Sequence, residues 1–121
     1  MKKFLLVSAL ALTTILSYGQ DISDVSQSGS TLIVRDEKNN WISSKSISSS
    51  DELCGFSSMI IVIKSGSTVI VYDQKFNWIS SKSISSDDRV KNVSGNNIII
   101  KSGSTVITYD KKFNWISSRS E

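Results

Sequence analysis

Residues 64–84 read KSGSTVIVYDQKFNWISSKSI, and residues 101–121 repeat them as KSGSTVITYDKKFNWISSRSE, with four changes in 21 positions. A more diverged copy, SGSTLIVRDEKNNWISSKSI, occupies residues 28–47. Ser28, Ser65 and Ser102 stand 37 residues apart, and so do Trp41, Trp78 and Trp115. A period between about 20 and 50 residues marks an architecture of supersecondary units, none of which can bury its apolar face alone. The chain is therefore a repeat protein, with units at approximately residues 20–47, 48–84 and 85–121.

The last unit is the most complete. It holds a short inner segment at 89–94 with Val90 and Val93, an apolar run NIIIK at 97–101, TVITY at 105–109 and WISSRS at 115–120. Ile, Val, Thr, Tyr and Trp fit a pleated surface, and turn-forming residues bound each run, so the spacing predicts strands and no helix in residues 20–121. Gly103 in Ser102-Gly103-Ser104 can supply the positive φ of a tight hairpin, with Gly66 and Gly29 at the same place in the other copies. Before the outer strand, Asp110 can bond its own turn backbone and Asn114 can take the left-handed conformation; Asp36, Asp73, Asn40 and Asn77 repeat both choices.

Strand faces narrow the architecture. Residues 60–63 and 69–72 are apolar on both faces, which demands cover on both sides of the sheet. The strand WISSKSI turns polar after Trp78 and Ile79, as a solvent-facing edge does. Tyr72 and Tyr109 read as packing residues, and Arg35 takes their place in the first copy, where that face lacks a neighbour. The first copy also has no counterpart of residues 89–94, so one inner strand is missing from a threefold set.

These features resemble a β-propeller blade of the NHL-like pattern. The resemblance is carried by Val90-Lys91-Asn92-Val93-Ser94-Gly95, Ile98-Ile99-Ile100, Val106-Ile107-Thr108-Tyr109-Asp110 and the outer strand from Trp115. It implies an all-β fold of antiparallel 37-residue repeats, with propeller-like blades packed face to face around an axis. Propellers have about 4 to 8 blades and this chain has fewer than three complete units, so two chains would give about six. A β-trefoil-like fold is the alternative, since it accounts for three repeats without a partner.

Residues 1–19 read as a signal peptide: Lys2 and Lys3, an apolar run at 4–16, then Ser17-Tyr18-Gly19 before the cleavage point. The run is shorter than the ~20 residues that cross a bilayer, so no membrane insertion is expected after the leader is removed. The leader suits a bacterial protein and implies an exported chain, secreted or periplasmic. Losing Lys2 and Lys3 lowers the formal charge from +3 to +1, and lysines are interspersed with acids, so no nucleic-acid partner is expected. Asn92-Val93-Ser94 matches the glycosylation acceptor, an accidental match in a bacterial chain.

The chain has no His, which removes the commonest general base and metal ligand, and its single Cys excludes an internal disulfide. No Ser sits in a Gly-x-Ser-x-Gly elbow. The acids at 51–52 and 87–88 sit where a turn enters the inner strand, and neighbours on a strand point to opposite faces. The expectation is a non-enzymatic binding or assembly module, with no catalytic residue, cofactor or metal. Cys54 aligns with Lys91, a position near solvent, where a thiol could join two chains or be inert. The expected partners are a second copy (a homodimer) or another protein at the open sheet edges.

The candidate ligand-binding residues are Trp41, Trp78 and Trp115, which could form three stacking platforms for the faces of a carbohydrate. The competing reading packs each Trp over the neighbouring unit as an interface plug.

Overall fold

The computed structural model describes residues 21–121; the expected leader lies outside them. Eleven strands occur among the described residues. They are β1 (Asp24–Ser28), β2 (Thr31–Arg35), β3 (Trp41–Ser46), β4 (Asp51–Phe56), β5 (Ile61–Ser65), β6 (Thr68–Tyr72), β7 (Trp78–Ser83), β8 (Asp88–Ser94), β9 (Asn97–Ser102), β10 (Thr105–Asp110) and β11 (Trp115–Ser120). They form three antiparallel meanders: sheet 1 is β1-β2-β3, sheet 2 is β4-β5-β6-β7 and sheet 3 is β8-β9-β10-β11. No strand of one sheet pairs with a strand of another. A trefoil joins strands of successive units in one barrel, so that alternative is not realised; the architecture is all-β, with propeller-like blades.

Turn chemistry sets the register. Ser28 pairs with Thr31, Ser65 with Thr68 and Ser102 with Thr105, each across a two-residue loop. Each loop opens on a glycine at φ +62, +63 or +62, as a type II′ hairpin requires. At the other end of each hairpin the Asp carboxylate organises a wider turn. Asp73 Oδ1 accepts the N–H groups of Lys75 and Asn77, both at 2.9 Å, while Oδ2 accepts Asn77 Nδ2 at 3.1 Å. Asp36 and Asp110 do the same. The left-handed residue is not Asn40, Asn77 or Asn114, which serve as donors to the Asp. It is the residue before: Asn39 (φ +67), Phe76 (+61) and Phe113 (+61).

The core lies between sheets. Leu32, Val34, Ile42 and Ile47 of sheet 1 pack against Ile61 and Ile63 of sheet 2, joined by Tyr72 and Phe76. The opposite face of sheet 2, with Ile60, Val62, Val69 and Val71, packs against Val93, Ile98 and Ile100 of sheet 3, joined by Tyr109 and Phe113. Sheet 2 is thus covered on both faces, as its two-sided apolar strands demand. Gly55 marks a close approach of sheets 2 and 3, since a Cβ there would lie 3.0 Å from Val93 Cγ2.

The outer strands correct one expectation. Ser43 and Ser80, read as solvent-facing, are the buried polar residues among those described. A one-residue bulge, after Val34 in sheet 1 and Val71 in sheet 2, lets Ile42 and Ser43, or Ile79 and Ser80, both turn toward the next sheet.

Residues that repeat in sequence but differ in cover should differ in energetic weight. Ile98→Ala, on the face buried against sheet 2, should cost about 2–5 kcal/mol in urea unfolding. Asp24→Ala, two repeats earlier on the outer face of sheet 1, should change stability by about 0.5 kcal/mol or less. Similar losses at both positions would contradict this stacking order.

Candidate binding surfaces

The contact between sheets is built twice from the same parts. The Ser43 hydroxyl donates to the Gln74 carbonyl at 2.6 Å, and the Ser80 hydroxyl donates to the Lys111 carbonyl. Lys45 Nζ lies 5.2 Å from the Tyr72 ring centre, and Lys82 Nζ lies 5.3 Å from that of Tyr109. Tyr72 and Phe76 meet edge to face at 5.7 Å, as do Tyr109 and Phe113. Each Tyr-Asp-x-Lys-Phe-Asn turn is therefore seated on the preceding sheet by a hydroxyl-to-carbonyl bond, a cation over an aromatic face and packed rings.

The two end faces differ from this internal pattern in a directed way. On the outer face of sheet 1, Asp24, Ser26, Arg35 and Asn39 stand where sheet 2 has Ile61, Ile63, Tyr72 and Phe76, and Arg35 donates to the Ser26 hydroxyl at 3.3 Å. On the open face of sheet 3 the inner half is also polar: Asn92, Asn97 and Glu121 replace Gly55, Ile60 and Ile84. The Glu121 carboxylate is clamped by Lys91 and by Lys101, the latter at 3.1 Å, and these bonds lower it to about 2. The outer half of that face keeps the docking set, with Val106, Ile116, Ser117 and Arg119 in the places of Val69, Ile79, Ser80 and Lys82. There Ile99, Val106, Thr108, Ser117 and Arg119 line a groove of about 150 Å³.

The tryptophans occupy a third surface. Trp41, Trp78 and Trp115 each open an outer strand and are 62%, 63% and 63% exposed. The plug reading fails because neighbouring sheets leave all three equally uncovered. The residues that do plug the interface are Phe76 and Phe113, whose signal in the sequence was their exchange for Asn39 in the copy that no sheet precedes among the described residues.

Among the described residues no group of three His, Cys, Asp or Glu side chains could hold a metal. Asp51 and Asp88 are the equivalent acids, and they accept turn N–H groups from Ser48 at 3.0 Å and Ser85 at 3.2 Å. Cys54 is half-buried rather than solvent-facing; burial, aided by Glu52, pushes its thiol above the ordinary value and suppresses the thiolate.

No family model and no curated protein matches the chain. Among solved structures, the crystal structure of BamB from Moraxella catarrhalis is similar at a TM-score of 0.48 and 12% identity, over 81% of this chain and 34% of that one. A likeness of that size adds nothing to what the three sheets show by themselves.

The turns make stability pH-dependent in one direction. The backbone N–H of Asn40 chiefly holds Asp36 below the ordinary 3.8, and that of Asn114 does the same for Asp110. A carboxyl lowered in the folded state contributes stability that is complete above its unfolded value and is lost as pH falls through its folded value. The melting temperature should stay level from about pH 7 to about 5 and drop below about pH 4. An Asp36→Asn/Asp110→Asn variant should show a shallower drop, and an equally steep one would remove these turns as its cause.

Proposed function

We propose that the chain is a non-enzymatic binding and assembly module, exported once residues 1–19 are removed. The observation that carries this reading is the row of indoles: one per sheet, equivalent in sequence and about equally exposed in internal and end sheets. Large aromatics left uncovered on a rigid frame serve recognition, and three equivalent sites at fixed spacing give avidity to a partner with repeated features. The absence of His and the use of Asp51 and Asp88 in turns support a function without catalysis.

The assembly part rests on the end sheets. Completion by a second copy would bring sheet 3 of one chain onto sheet 1 of the next, and there Arg119 would meet Arg35 instead of a tyrosine. That charge conflict favours another protein as the partner. Carbohydrate is the second reading for the rim, because an indole face is a surface that a sugar ring can cover.

Titrating soluble polysaccharides against the mature chain while following tryptophan fluorescence separates the two. A saturable change that is lost in Trp41→Ala/Trp78→Ala/Trp115→Ala identifies the rim as a sugar site; no change leaves the protein-binding reading. Light scattering of residues 20–121 should give a monomer with and without reductant. A dimer that survives reductant would restore the second copy as the completing partner, and one lost on reduction would point to Cys54.

A further inference from the structure

We propose that the groove on the open face of sheet 3, between β10 and β11, is a docking site for an aromatic β-turn supplied by a partner protein. The proposal deepens the assembly reading above and rests on it. Its basis is that the chain contains the same seat twice more, occupied. In sheets 1 and 2 the seat holds a Tyr-Asp-x-Lys-Phe-Asn turn, with Ser43 or Ser80 bonded to a turn carbonyl and Lys45 or Lys82 over the tyrosine. Sheet 3 keeps Ser117 for the hydroxyl and Arg119 for the cation, and Arg is the stronger partner for an aromatic face. Ile99 and Thr108, the latter in the place of Val71, form the floor over the buried Val106, and Ile116, buried at its counterpart Ile42, is 45% exposed.

The occupant's chemistry follows from what surrounds the groove. A complete further sheet at the internal spacing would be crowded over the inner half, which carries Asn92 where a Cβ on Gly55 would already lie 3.0 Å from Val93 Cγ2 of the next sheet. Asn97 and the Lys91–Glu121–Lys101 cluster also replace apolar contacts there. Only the outer half, where turns seat, remains available. A second copy cannot supply the turn. Its two aromatic turns are already seated on its own sheets 1 and 2, and its remaining turn, residues 35–40, carries Arg35 and Asn39 in place of Tyr and Phe. The partner therefore brings a turn with a tyrosine or phenylalanine and an outward carbonyl.

The probe is a backbone-cyclised hairpin with the sequence of residues 68–83, which carries the Tyr72–Asn77 turn. Titrated into the mature chain, it should shift the NMR signals of Ile116, Ser117 and Arg119 saturably. Ser117→Ala/Arg119→Ala, both exposed and harmless to folding, should weaken it by about tenfold, as should Tyr72→Ala in the hairpin. No shift at millimolar hairpin, or equal binding by the double variant, overturns the site. A concentration-dependent dimer of the chain alone, lost in that double variant, would give the groove to a second copy and overturn the foreign turn. Because Trp41, Trp78 and Trp115 lie on the rim, loss of hairpin binding with rim binding intact sinks this site alone.

Discussion

The structure depends on one unusual residue repeated twice, a phenylalanine held at φ near +61. A bulky side chain in the left-handed region costs about 1–2 kcal/mol. Partial burial of the ring against the preceding sheet returns part of the roughly 1.5–3 kcal/mol that full burial gives, and the edge contact with the neighbouring tyrosine adds about 0.5–1.5. The balance favours Phe only where a sheet is present to receive it. In the first copy nothing precedes the turn among the described residues, and Asn39, which takes the same φ with little penalty, stands there instead.

That trade governs the whole stack. Sheet 2 is apolar on both faces because both are covered, and the end sheets depart from the repeat on the face each leaves open. Sheet 1 exchanges an aliphatic pair and two aromatics for Asp24, Ser26, Arg35 and Asn39, which is the polar cap a repeat array needs against endless stacking. Sheet 3 is capped over its inner half by Asn92, Asn97 and Glu121, and its outer half keeps the docking residues except that Thr108 stands in the place of Val71. The asymmetry matters because charged and polar groups over most of one end disfavour head-to-tail propagation, whereas the other end can still receive one partner.

The rim is independent of this logic. Tryptophans at the start of β3, β7 and β11 contribute little to the inter-sheet cores, and the bulge beside each turns the isoleucine and serine toward the following sheet in sheets 1 and 2 and toward the open groove in sheet 3, while the indole stays outside. Rigid placement with solvent access is what a recognition residue needs, and the hairpins on either side supply the rigidity.

The sequence by itself determined the strands, the hairpin glycines, the Asp-centred turns and the role of Tyr72 and Tyr109, because each follows from local propensity compared across a 37-residue period. It misled where a residue's role depends on what lies across from it. Ser43 and Ser80 look like solvent-facing serines on an edge strand, and only the next sheet's turn carbonyl makes them buried anchors. Trp41, Trp78 and Trp115 fit both a stacking platform and an interface plug by sequence, and only the way the sheets stack, leaving all three exposed, removes the plug. The choice of separate face-packed sheets over a trefoil was also tertiary: both share the strands and the period, and they differ only in which strands pair and which faces meet.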